Sequence, residues 1–148
     1  MRRVCEHRGG PSLAPMIQRI QSLYLLVAGG LLVTFGLIPT AWALGITVEW
    51  IVPVARGLAA FAAIVTFVGV ALFKDRQRQR QLILGAQVVT LLTVAAVVGG
   101  LFLREAGTAA PGAYLLALAP VVSYVLLRLA QRGVDKDIAL VKSMDRLR

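Results

Sequence analysis

The sequence predicts an all-α fold, a polytopic membrane protein built as a four-transmembrane-helix bundle with a C-terminal amphipathic cytoplasmic helix. Three observations carry that expectation. The chain has 148 residues of which 58% are hydrophobic and only 16% charged, whereas soluble domains have an apolar share nearer ~45–50%. Four apolar runs, over about residues 20–44, 54–73, 82–103 and 113–130, approach or exceed the ~20 residues that cross a hydrocarbon core at 1.5 Å rise per residue. The cations, finally, are grouped at the ends of those runs instead of being spread along the chain.

That grouping fixes an orientation. Arg2, Arg3, Arg8 and Arg19 precede the first run, and Lys74, Arg76, Arg78 and Arg80 lie between the second and third. Arg128, Arg132, Lys136, Lys142, Arg146 and Arg148 end the chain, which accounts for fourteen of the sixteen Lys and Arg and leaves Arg56 and Arg104 for the opposite side. The positive-inside rule then puts both termini and the central loop in the cytoplasm. The formal charge of +9 accordingly reads as topology signals and partners for anionic lipid headgroups, not as a nucleic-acid surface.

Residues 1–15 are polar, carry Gly9, Gly10, Pro11 and Pro15, show no periodicity, and read as a disordered N-terminal extension. Either they form a flexible cytoplasmic tail or translation begins at Met16. Cys5 is the single cysteine, so an intrachain disulfide or a cysteine metal site is not expected. In the first run, Pro39 to Ala43 resembles a small-x-small signal cleavage site. The length of the run and the three spans after it favour a retained helix with Trp42 at the interface.

The second run has two faces. Ala55, Ala59, Ala62, Ala63, Thr66 and Gly69 share one side at 100° per residue, opposite Phe61, Val65, Val68 and Leu72. The small-residue stripe should pack on a neighbouring helix, since small side chains let backbones approach closely. Lys74 to Arg80, four cations in seven residues, cannot stay in hydrocarbon and is expected to be a loop. In the third run Gln87, Thr90 and Thr93 form a mildly polar face, best explained by bonds to a neighbouring helix or to their own backbone. Ala96 and Gly100 add a small-xxx-small pair near its outer end. Pro120 interrupts the fourth run and should kink it, while Arg128 can snorkel at the inner end.

This topology brings Gln21, Ser22, Tyr24, Gln87, Ser123 and Tyr124 toward the cytoplasmic half, as a candidate interhelical polar cluster. No ionisable residue is expected in mid-bilayer, and no paired carboxylates, histidine motif or activated nucleophile occur in the sequence, so neither an enzyme nor a bound cofactor is expected. In residues 133–148, Val134, Ile138, Val141, Met144 and Leu147 recur at spacings of three and four. That is an amphipathic helix able to lie in the headgroup region, pack under the bundle, or dock a partner. The chain thus divides into residues 1–15, a transmembrane domain over 16–132, and a cytoplasmic tail over 133–148.

The segments Met16-Ile17-Gln18-Arg19-Ile20-Gln21-Ser22-Leu23-Tyr24-Leu25-Leu26 and Val134-Asp135-Lys136-Asp137-Ile138-Ala139-Leu140-Val141-Lys142-Ser143-Met144-Asp145-Arg146-Leu147-Arg148 together resemble a bacterial family of four-pass membrane proteins catalogued as domain of unknown function 4293. The resemblance covers nearly the whole chain from Met16. It implies an inner-membrane location, the same four helices and Met16 as the ancestral start, and it implies no activity. Two roles follow for such a chain. One is a structural or accessory subunit, packed through its small-residue faces on a larger membrane complex and presenting the cytoplasmic tail to a partner; a homo-oligomer is the other assembly open to the chain. The other is a stand-alone binder or carrier of a lipid or small hydrophobic solute.

Overall fold

The computed structural model describes residues 14–38, 49–72, 75–103 and 111–145. It is a four-helix bundle of α1 (Ala14–Leu37), α2 (Ile51–Ala71), α3 (Arg76–Phe102), a short α4 (Pro111–Ala117) and α5 (Ala119–Asp145). Within these, Ile20–Leu37, Ile51–Ala71, Arg76–Phe102 and Tyr114–Leu140 are each long and apolar enough to cross a membrane, so α4 and α5 together make the fourth crossing. α1 packs on α2 and α5, and α3 packs on the same two helices, which closes the bundle into a ring.

Large side chains of one helix meet small ones of the next along this ring. Toward the end where α1 meets α2, Phe35 packs with Ala55, Ala59, Val97 and Ala119. At mid-height Leu32 packs with Ala62 and Ala63. Toward the opposite end, called the basic end below, Leu25, Ala28, Ile83, Ala86, Leu127, Ala130 and Val134 form the third layer. The small stripe of α2 is buried throughout, at Ala55, Ala59, Ala62, Ala63, Thr66 and Gly69, as its spacing predicts. Phe61 and Val68 face outward, while Val65 fills a seam against the third layer. Gly29 lets α1 approach the Phe67 ring so closely that a Cβ there would lie 2.9 Å from Cζ.

Helix ends differ from the sequence expectation in instructive ways. α2 begins at Ile51, with Pro53 in its first turn, where the missing N–H would have had no acceptor. The basic stretch is not a loop along its whole length. Asp75 is an N-cap whose carboxylate accepts from the Arg78 N–H at 3.1 Å, and Arg76, Arg78 and Arg80 lie in the first turns of α3. Its 27 residues span about 40 Å, roughly 10 Å more than a hydrocarbon core. Leaving the membrane therefore does not require leaving the helix.

The tail is helical as expected, but it is no separate element. α5 runs through Gly133 without a break and carries the tail to Asp145. The interruption falls instead at Leu118, where Pro120 lacks the N–H that would have bonded to the carbonyl one turn earlier. The Leu118 N–H turns to the Leu115 carbonyl at 3.3 Å, and the Val122 N–H then restarts the ladder on Leu118 at 3.0 Å. Expectations for residues 1–13, for 39–44 including Trp42, for Lys74 and Arg104, for the side chains of Val141 and Met144, and for residues 146–148 including Leu147 lie outside the described residues.

Candidate functional site

The polar residues of the basic end lie on three helices, and α5 supplies a partner for most of them. In α3, Thr90 and Thr93 are fully buried and donate to their own helix, at the Ala86 and Val89 carbonyls, at 2.7 and 3.0 Å. That arrangement satisfies each hydroxyl without help from a neighbour. Gln87 behaves differently. Its Nε2 donates across the interface to Oε1 of Gln131 at 2.9 Å, with both side chains buried. The same Oε1 accepts from Arg128 Nη1 at 3.1 Å. A buried amide pair thus fixes one edge of a guanidinium whose own residue is exposed on the bundle surface.

Ser123 holds α5 to α1 by donating to the Ala28 carbonyl at 3.1 Å, in a buried contact. Closer to the helix ends, Gln21 Nε2 donates to Asp137 Oδ2 at 3.3 Å. It fits only because position 133 is glycine. A Cβ there would lie 2.7 Å from both Cγ and Nε2 of Gln21. Asp137 also pairs with Arg76 at 3.4 Å, and Arg80 Nε donates to Asp135 at 2.6 Å. Arg76 and Arg80, one turn apart on α3, therefore face the two acids of α5. Arg78 instead returns to its own cap, 3.0 Å from Asp75.

The six residues expected to converge do not make one site. Gln21, Gln87 and Ser123 each bond to a partner outside the six, Tyr24 is half-buried against the basic-end core layer, and Tyr124 is half-buried on α5. Ser22 is likewise half-buried and has a partner of its own. The sequence reading missed Gln131, Asp135 and Asp137. Stepping from Ser123 through Leu127 to Gln131 by fours would have found the first, had α5 been taken as one helix. Of the expected tail stripe, Val134 is buried in the core and Ile138 packs against it, so the stripe begins as part of the bundle. Of the expected topology-setting cations, Arg76 and Arg80 are engaged by α5.

Two grooves open on the seam between α3 and the fourth crossing. One, of about 720 Å³ at the basic end, is lined by Arg76, Arg80, Asp135, Ile138 and Lys142 among others. The second, of about 260 Å³ at the far end, is apolar and lies between α3 and the break at Leu118. Neither is lined by Gln87 or Tyr124. Among the described residues no three His, Cys, Asp or Glu side chains gather as a metal site would require.

Comparison with family models matches residues 17–147 to the family described as "Domain of unknown function (DUF4293)". Neither curated proteins nor solved structures give a match.

Proposed function

Starting from a chain that belongs to the DUF4293 family, whose description assigns no activity, we propose a non-catalytic role as a structural or accessory subunit of a membrane complex. The observation that supports it most is the internal use of its polar side chains. Among the described residues, Gln87, Ser123, Thr66, Thr90 and Thr93 all bond within the bundle, so none of these five is left over for a reaction or a solute path.

The route to a partner differs from the one the sequence suggested. The small-residue faces are consumed inside the chain, so docking falls to the groove between α3 and α5, where Arg76, Gln77, Arg80, Ile138 and Lys142 present mixed basic and apolar surface. In this reading the basic end is cytoplasmic and the membrane is the bacterial inner membrane. Purification of a tagged copy from native membranes in mild detergent, with mass spectrometry of what accompanies it, tests the role. A stoichiometric companion lost on Ile138→Asp supports it. A clean monomer or homo-oligomer overturns it and returns the carrier reading to the front.

A further inference from the structure

On the lipid-facing side of α5, apolar residues give way to cations at helical spacing. Val121, Val122, Val125 and Leu129 are exposed, and so are Arg128, Arg132 and Lys136. Successive members of that basic ladder are one turn, about 6 Å, apart. Two acids of the same helix point elsewhere, since Asp135 is engaged by Arg80 and Asp137 by Arg76 and Gln21. Among the described residues no carboxylate lies within ion-pair distance of Arg128, Arg132 or Lys136. The acidic and basic side chains of this stretch are thus sorted, acids onto α3 and α1, cations outward.

A half-exposed charged pair is costly in hydrocarbon, so Arg80–Asp135 belongs at or beyond the water boundary of the basic end. Arg128 precedes Asp135 by seven residues, which places its backbone about 10 Å further into the membrane. A guanidinium rooted there without an anion is costly. Its donation to Gln131 draws the head one turn back toward the boundary and spends one of five N–H donors. That brings the remaining donors to the level of lipid phosphates.

We propose that Arg128, Arg132 and Lys136 form a binding site for the headgroup phosphate of a phospholipid of net negative charge, with Arg128 pre-oriented by the Gln87–Gln131 pair. The site is independent of the accessory-subunit reading. It faces the bilayer beside α5, whereas the groove for a protein partner opens between α3 and α5. Arg128 supplies a planar, charge-assisted contact, while Arg132 and Lys136 supply charge one and two turns nearer to water.

The full chain is reconstituted in an equal mixture of phosphatidylglycerol and phosphatidylcholine, and the lipids retained on release into mild detergent are counted by native mass spectrometry. Wild type is expected to retain phosphatidylglycerol preferentially. Arg128→Gln with Arg132→Gln should lower that preference by about fivefold for each cation removed. Arg78→Gln, an equally basic change at the same end, should leave it unaltered. Equal loss in the Arg78→Gln control would mean a diffuse field and not a site, and would overturn the proposal. So would an unchanged preference in the double variant. Arg132→Gln alone, which leaves Gln131 untouched, guards against a folding defect and should still lower the preference about fivefold. Added inorganic phosphate should not displace the lipid; displacement would assign these cations to a soluble phosphate instead.

Discussion

Gly133→Ala should change sign of effect with the residue at position 21. Alanine is favoured over glycine in a helix interior by about 1 kcal/mol, and on that ground alone the substitution stabilises α5. The added Cβ, however, would sit 2.7 Å from Cγ and Nε2 and 2.9 Å from Cδ of Gln21. Gln21 is only 6% exposed, so its side chain must swing away and release the bond to Asp137. Losing that bond costs about 0.5–1.5 kcal/mol, with up to a further ~1–3 kcal/mol if the amide is left buried and unpaired. With the displaced amide left buried and unpaired, the net effect in the wild-type background is therefore destabilisation by about 0.5–3.5 kcal/mol. On a Gln21→Ala background the clash is gone and the same substitution should stabilise by about 1 kcal/mol. Reversible unfolding in mixed detergent, followed by circular dichroism over the four-member cycle, measures the coupling. Additivity within ~0.5 kcal/mol would refute the contact and with it the close approach of α1 to α5.

Gln87→Leu should destabilise the bundle by about 1–3 kcal/mol, because the buried Gln131 keeps only Arg128 as a partner. Thr90→Val, which removes a hydroxyl bonded only to its own helix, should stay within about 0.5 kcal/mol in the same assay. Phe35→Ala empties the large member of a fully buried layer and should cost about 3–5 kcal/mol, read as a lowered unfolding midpoint. Arg80→Gln breaks a half-exposed pair with Asp135 and should cost under about 1 kcal/mol. That cost should shrink as salt is raised, and a loss insensitive to salt would contradict a solvated pair.

The helices and their buried faces were legible because they follow from period and residue size. Ala55, Ala59, Ala62 and Ala63 announce a close-packed side wherever they occur in a membrane helix, and the structure buries all four. Helix ends were less legible, for a physical reason. Charge marks where a segment enters water, but Arg76 to Arg80 enter water while still helical, capped by Asp75. Gly133 looked like a boundary and is instead a point of close approach, needed for Gln21. The expected polar cluster dissolved because depth is shared by many residues and azimuth by few. Gln87 and Ser123 sit in the same half of the bundle, yet one reaches Gln131 and the other the backbone of Ala28. Asp135 and Asp137 carried no assigned role in the sequence, and nothing local to the tail reveals that their partners lie on α3 and α1.

The pairing of α1 with α5 has a consequence for biogenesis. The contacts that join α1 to α5 link residues 116 positions apart, at Gln21 and Asp137, and 95 apart, at Ser123 and Ala28. At roughly 5–20 residues per second of synthesis, the side of α1 that receives α5 stays without its protein neighbour for about 5–20 s after α1 is made. In that interval α2 and α3 can dock in sequence and build an open trough. Ser123 and Gln131 arrive only with α5, so the ring cannot shut before that helix is made. An insertion chaperone or translocon that shields α1 through that delay would act on the same face that α5 later occupies, and its release would await the synthesis of α5.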